Sequence, residues 1–547
     1  MSGNRSGPGR WALAVGLAAI AFGAWAAIRK AWLCDDAFIS FRYADNLTHG
    51  LGLVFNAGER VEGYSNFLWT LGIALGMRAG IAPERWSIVW GVVFYVATLA
   101  LLLLDHLIGP TSKLAAAPED RTRRSGPPLA CLLAAVHNDW QQYATGGLET
   151  AFFTFLVTAG YLLGVRARGV LGLAGSGLAL ALAALTRPDG VLFVPLMGLY
   201  VLWTRRPRVA SATAFGGAFL IVWLPYAIWK TVYYGEFLPN TYYAKSAYLP
   251  WYEQGWHYAS LYFQRYWVLA LALPVAAGVL VVRAREGPRA TIAATEAPLA
   301  PDVPVPRAPW DQAPVRELLL ALAMGVAYTT YVMHVGGDFM YARLLIPAAP
   351  FFAIALARGV ALLLAHRRGL HWAVATAAAA GVGLAPMPLH DAEITHGIVD
   401  EPRVYHAGVI ERTRRDGLTL RRYFAGLPVR IAFVGSQAEL VYYARPAVAI
   451  ECGTGLTDRW IAHQRLLKRG RVGHEKLAPV PYLLQRKVDF TIRHFAGATL
   501  GLDQYLRMVP IDFDTIPGRI VHRDPALLAE LARRGARFGN APTELEP

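Results

Sequence analysis

Apolar residues in this chain come in long, nearly unbroken runs, without the one-sided periodicity of a helix packed on a soluble core. Such runs lie near residues 11–29, 86–108, 128–145, 148–165, 169–186, 190–204, 210–230, 266–283, 317–335, 345–365 and 370–387. A helix of roughly 17–25 apolar residues spans the hydrocarbon core of a bilayer. The pattern therefore predicts a polytopic α-helical membrane protein with about 11 transmembrane helices. One more run, Phe67 to Gly80, is too short for a comfortable crossing. It reads as a dipping or interfacial helix on the outer face, because counting it as a span inverts every later connection.

After about residue 388 the pattern changes. Val429 to Gly435 reads as a buried strand followed by a turn, and 447–451 and 487–492 as further strands. The stretch Thr457 to Lys468 between them is polar and reads as helix. Two parts are expected: a transmembrane domain over 1–387, with a first outer loop at 30–85, and a soluble α/β cap over 388–547. The Pro- and Ala-rich 284–315 segment reads as a flexible cytoplasmic loop. No internal repeat is visible.

Composition agrees with the membrane reading. Hydrophobic residues make up 55% of the chain and charged residues only 17%, a balance unusual for a soluble protein. The net charge of +15 would suggest nucleic acid if it gathered on one face. Instead the basic residues fall in short connections between apolar runs. With the N-terminus, Arg5 and Arg10, in the cytoplasm, every basic cluster lands inside: Lys113/Arg121/Arg123/Arg124, Arg166/Arg168, Arg205/Arg206/Arg208, Arg283/Arg285/Arg289 and Arg367/Arg368. That is the bias of inner-membrane proteins, so the expected partner is membrane lipid and no nucleic acid is implied. The expected location is the bacterial inner (plasma) membrane, multi-pass, with the C-terminal domain periplasmic. The first run is longer than the roughly 7–15 residues of a signal-peptide core and reads as an uncleaved anchor. Three cysteines, Cys34, Cys131 and Cys452, without a CxxC pair, give neither a zinc cluster nor a disulfide framework.

This topology places the unusual polar groups on the outer side: Asp35 and Asp36, His137, Asp139 and Glu149, Arg187 and Asp189, Asn240 and Lys245, and His334, Asp338 and Arg343. Ionisable groups near lipid are expensive unless used or paired. For each one alone the plainer reading is a helix cap or a snorkelling anchor. Adjacent carboxylates repel, so one of Asp35 and Asp36 tends to hold its proton more tightly, which suits a general base. Either could be that base. The Gly- and Asn-rich loop 52–66 carries Glu62 and Tyr64 and suits a polar lid with aromatics available to stack on a sugar. Its alternative is a surface connection of Asn-Ala-Gly and Glu-Gly turns. Arg343, Lys245 and Arg187 are the outer cations able to bind a lipid phosphate, with Arg343 first because Gly336-Gly337 lets the backbone turn it inward. Glu62, Tyr64, His137, Glu149, Asn240 and Asp338 are the candidate substrate contacts. No cofactor is expected and no divalent-metal ligand set is evident, although Asp35 with Asp338 could hold a cation.

Several of these segments together resemble a known family. Asp35-Asp36-Ala37-Phe38-Ile39-Ser40-Phe41-Arg42-Tyr43, Gly52-Leu53-Val54-Phe55-Asn56 and Glu59-Arg60-Val61-Glu62-Gly63-Tyr64-Ser65-Asn66 look like the arabinofuranosyltransferases that add terminal β-(1→2) arabinose in mycobacterial cell walls. So do Gly147-Leu148-Glu149-Thr150, Thr186-Arg187-Pro188-Asp189-Gly190, Leu238-Pro239-Asn240-Thr241 and Gly336-Gly337-Asp338-Phe339-Met340. Gly455-Leu456-Thr457-Asp458 and Gly473-His474-Glu475-Lys476 continue the likeness into the C-terminal part. The resemblance implies a GT-C fold, a polyprenyl-phosphate sugar donor and an Asp of the first outer loop as catalytic base. The expectation is a membrane glycosyltransferase moving a sugar, arabinofuranose by this likeness, to a cell-envelope glycan acceptor on the outer face. Its rival is a transporter or flippase of lipid-linked sugars. Against that stand the missing inverted repeat and an acid pair with no clear use in transport.

Overall fold

The ends of the apolar helices follow their local chemistry. Pro83 opens the helix Pro83–Ile108, where a missing N–H costs nothing. Gly235, at φ 77°, closes Arg208–Tyr234 in the left-handed conformation that glycine adopts freely. The computed structural model describes residues 9–108, 126–293, 312–365, 367–389, 395–434, 437–466, 469–492 and 508–539. Among them, six helices are long and apolar enough to cross a membrane: Arg10–Arg29, Pro83–Ile108, Arg208–Tyr234, Trp267–Arg285, Ala313–His334 and Arg343–Leu363. Shorter apolar helices, Thr150–Arg166, Val170–Thr186 and Pro188–Thr204, pack among them, and Phe67–Arg78 forms a helix of its own. The chain is a multi-pass helical membrane protein. Its helices approach closely where side chains are small: a Cβ on Gly177 would lie 2.0 Å from the Phe215 carbonyl oxygen.

Three details depart from the sequence pattern. The 128–145 run is broken into Leu129–Ala135 and Asn138–Tyr143, because His137 takes an extended backbone and caps the second piece. Residues 284–293 continue the helix Ala272–Ala293, against the helix-breaking tendency of Gly287-Pro288 that marks this segment as loop in the sequence. The helix expected over 457–468 is a single turn, Arg459–Ala462, capped by Asp458. Residues 313–315 open the helix Ala313–His334, while 294–311, the connection bearing Lys113, Arg121, Arg123 and Arg124, and Gly435 lie outside the described residues.

The C-terminal part carries one six-stranded sheet built from β1 (Arg430–Phe433), β2 (Val448–Glu451), β3 (Phe490–Ile492), β4 (Pro510–Phe513), β5 (Ile516–Ile520) and β6 (Arg537–Phe538). Its order is β2-β1-β3-β5-β4-β6, with β2, β1 and β3 parallel and the rest antiparallel. One face buries Leu420, Phe424, Ile431, Phe433, Phe490 and Phe513 in a cluster that also takes in Tyr43, Leu53, Phe55 and Tyr64 from the N-terminal loop. Each such side chain, fully buried, contributes about 1.5–3 kcal/mol, so the loop and the sheet stabilise each other. Asn56 extends the ladder at the free edge of β2. Its Nδ2 donates to the Ala449 carbonyl at 3.0 Å, and its Oδ1 accepts from the Ala449 N–H at 2.9 Å. A side-chain amide thus covers an edge that would otherwise stay open.

Candidate active site

A narrow cavity opens between the start of the 37–48 helix, Phe339 and Met340, and the sheet's loops. Asp35, Asp36, Lys245, Glu401, Glu451 and His474 stand in its wall. Each is delivered by a distinct piece of local structure.

The two adjacent acids part company. Asp35 is buried, and its two carboxylate oxygens accept the N–H groups of Ala438 and Glu439, both at 2.9 Å. It caps the helix Ala438–Ala444 from another part of the chain, a use that favours an ionised carboxylate at a helix N-terminus. Asp36 remains one-third exposed toward the cavity, with Arg343 Nη1 at 3.9 Å from Oδ2. The first acid ties the loop to the sheet domain and the second is left free to meet a ligand.

Arg343 follows a turn built on two glycines. Gly336 and Gly337 sit at φ 85° and 75°, and a Cβ on Gly337 would strike the Tyr258 ring at 2.5 Å. The turn brings Asp338 back to Arg343, with Nη2 2.5 Å from Oδ2. Arg343 is therefore already held by one carboxylate and lies near a second. Asp35 and Asp338, the pair that could hold a cation by sequence, are both committed elsewhere. Among the described residues no three His, Cys, Asp or Glu side chains converge as metal ligands.

Lys245 follows the short helix Asn240–Ala244 and lines the cavity half-buried, with no carboxylate partner among the described residues. Asn240 supports it indirectly. Its Nδ2 donates to the carbonyls of Gly455 and Leu456, both at 2.8 Å, locking this segment to the β2 loop. Glu451, at the end of β2, folds that loop by accepting the N–H groups of Gly453, Thr454 and Gly455.

The other candidates lie off the cavity. Glu149 and Asp189 hold Arg187 at 3.1 and 2.9 Å, Tyr328 donates to Asp189 at 2.8 Å and Asn66 to Glu149 at 2.9 Å. The structure thus gathers four motif residues into one satisfied network. Glu62 pairs with Lys230 at 2.6 Å, and the Tyr64 hydroxyl meets that of Tyr234 at 3.0 Å inside the loop's own core. Expected as sugar contacts, both are spent on fixing the loop. His137 also does not reach the cavity: Trp140 N–H donates to its Nδ1, Nε2 bonds the Tyr262 hydroxyl at 2.9 Å, and its ring stacks on Tyr266 at 3.8 Å. The cap was its plainer reading.

Glu401, His474 and Glu451 in the cavity wall escape the sequence reading, the last legible only as the end of a strand. Glu401 sits in an Asp-Glu-Pro stretch without periodicity or motif, yet pairing between 339–341 and Val399 carries it to the cavity. Val399 N–H donates to Phe339 O at 2.9 Å, and Tyr341 N–H to Val399 O at 3.0 Å. Burial, reinforced by the negative charge of Asp36, pushes the Glu401 carboxyl up to about 8. His474 stands in the Gly-His-Glu-Lys segment, and that motif was the available signal. Burial and the neighbouring Arg471 charge hold its imidazole below the usual histidine range, favouring the neutral ring.

No family model matches the chain. It is 29% identical over 526 residues to the terminal β-(1→2)-arabinofuranosyltransferase of Mycobacterium tuberculosis, covering 90% of this chain and 79% of that one. The protein of the same name from Corynebacterium glutamicum is 29% identical over 387 residues, 65% of this chain and 52% of its own. Among solved structures, ArnT from Cupriavidus metallidurans bound to undecaprenyl phosphate aligns with a TM-score of 0.46 at 15% identity, over 82% of this chain and 87% of that one. The Archaeoglobus fulgidus oligosaccharyltransferase aligns with a TM-score of 0.49 at 12% identity, over 92% and 73%. Scores this low leave the sequence relatives to carry the assignment.

Proposed function

We propose that this membrane glycosyltransferase, similar to the terminal β-(1→2)-arabinofuranosyltransferases, moves a sugar from a polyprenyl-phosphate donor to a cell-envelope glycan. Arabinofuranose is the sugar its relatives' name supports. The proposal includes a GT-C fold over 1–387, a cap over 388–547, a cytoplasmic N-terminus and a cavity opening on the outer face of the inner membrane. The basic connections and the position of the polar groups support that orientation.

The observation that carries the reading is the Asp36 carboxylate, partly open in a cavity whose wall also presents Lys245. Asp36 takes the proton of an acceptor hydroxyl, and that oxygen attacks the anomeric carbon of the donor. The bond from this carbon to the phosphate oxygen breaks, and polyprenyl phosphate departs with the electron pair. Lys245 meets the charge that grows on the phosphate, where a fixed cation is worth more in a water-poor site than in bulk water. Arg343 acts as a positioning residue, holding Asp338 and standing 3.9 Å from Asp36. This moves the phosphate role from Arg343 to Lys245. Arg187 remains a strut of its own network.

The test is transfer by detergent-purified protein from short polyprenyl-phosphate donors carrying different sugars to a soluble oligosaccharide. Transfer from the arabinofuranosyl donor is expected. Movement of lipid-linked sugar across vesicles without any transfer would replace this reading with the transport one. For orientation, alkaline phosphatase fused after Arg430 should be active and one fused after Arg206 inactive; reversed activities would invert the topology.

A further inference from the structure

We propose that Glu401 is a substrate-recognition residue whose carboxyl hydrogen-bonds the hydroxyl groups of a sugar placed in the cavity beside Asp36. The proposal rests on the reading of this cavity as the glycosyl-transfer site and assigns the residue that would read the sugar there.

Three observations carry it. Glu401 lines the cavity while only 2% exposed. Its position is fixed on both sides, by the Val399 pairing before it and by the one-turn helix Glu401–Val404 that it opens. One oxygen, Oε2, has no hydrogen-bond partner among the described residues, and the other has only Arg471 Nη2 at 3.9 Å. Asp35 and Glu451, the buried acids that shape the chain around this cavity, accept backbone N–H groups, whereas Glu401 Oε2 accepts none among the described residues. A buried carboxyl oxygen without a partner, in the wall of a cavity, is completed when a ligand supplies the missing hydrogen bond.

The surrounding charges decide its form. Asp36 and Asp35 act on it from the first loop and Asp338 from the Gly-Gly turn, with Arg471 beside it and Lys245 and His474 also in the cavity wall. Burial and the three aspartates outweigh Arg471 and raise the carboxyl to about 8. Below that pH it is neutral, donating through O–H and accepting through C=O, which matches two neighbouring sugar hydroxyls. Above it the donor is lost and a second negative charge stands beside Asp36.

Steady-state transfer from about pH 6.5 to about pH 9.5 tests this with wild type, Glu401→Gln, Glu401→Ala and Asp36→Asn, each checked for unfolding temperature. The wild-type KM for one sugar substrate should rise above about pH 8. Glu401→Gln, a neutral donor and acceptor, should raise that KM about threefold at neutral pH but show no further alkaline rise. Glu401→Ala should raise it about 10–100-fold throughout with kcat little changed. Varying donor and acceptor separately shows whose sugar is read. A Glu401→Gln variant as low in kcat as Asp36→Asn, or one whose KM climbs in parallel with wild type, overturns the proposal. If Asp36→Asn stays active while the Glu401 variants behave as expected, Asp36 is not the base and Glu401 keeps its role. If wild type transfers no sugar, donor binding decides: loss in Glu401→Ala supports recognition, and equal binding rejects it.

Discussion

Charged side chains gather near both ends of the helical part, and the two groups are built in opposite ways. At the end away from the cavity, Arg166 lies 2.5 Å from Asp105, and Arg358 lies 2.8 Å from Glu317 and 3.3 Å from Asp105. The Tyr161 hydroxyl closes the knot by meeting Arg358 at 2.5 Å and the Glu317 carbonyl at 2.7 Å. Charges there neutralise one another and tie four helices together. At the cavity, Asp36 keeps a third of its side chain exposed, and Lys245 has no carboxylate partner among the described residues. Burying charge costs several kcal/mol per ion unless it is paired, so mutual pairing marks a strut. Charge left facing a cavity marks a place where a ligand completes the pairing.

If that contrast is sound, damage at the two ends should separate rate from stability. The largest effect is expected for Asp36→Asn, which keeps shape but cannot take a proton. Transfer should fall about 10²–10⁴-fold, with the unfolding temperature in detergent unchanged. The reverse is expected for Arg358→Met, which leaves Arg166 as the one arginine, among the described residues, against both Asp105 and Glu317. Thermal or denaturant unfolding should show a loss of about 3–5 kcal/mol, while the folded fraction transfers sugar at near-normal turnover. Should Arg358→Met remove activity without touching stability, the struts would also be part of the site.

Lys245→Met comes next. Losing one charge-assisted contact to a phosphate should raise the donor KM about 10–100-fold, with acceptor KM and stability little changed. The smallest effect is expected for Asp35→Asn. Weakening the cap on Ala438–Ala444 should cost about 1–2 kcal/mol of stability, and turnover should fall far less than in the Asp36 variant. Equal loss of turnover in the two would erase the distinction between the acids.

How far the sequence could lead depended on the range of the interactions. Each long apolar run holds a helix, because hydrophobic length is a local property. Strands β1, β2 and β3 fall within runs of Val, Ile and Phe, but β4 to β6 alternate too briefly to stand out. At His137 a helix cap is legible in the sequence, but the stack on Tyr266 that holds the ring lies far along the chain. Asp35 and Asp36 are indistinguishable by neighbourhood, and only the arrival of Ala438 separates them. Tyr64 and Glu62 were read as sugar contacts because aromatic and acidic loop residues suit sugars. Their partners Tyr234 and Lys230 lie about 170 positions away, at separations of 170 and 168 residues. Glu401 had no local signal at all.

The most direct measurement of the central claim is the position of the donor itself. A cryo-electron microscopy structure with a non-hydrolysable polyprenyl-phosphonate sugar should place its phosphonate within hydrogen-bond reach of Lys245, with the sugar between Asp36 and Glu401. A headgroup bound instead at the Arg187–Glu149–Asp189 network, with the cavity beside Asp36 left empty, would contradict the account.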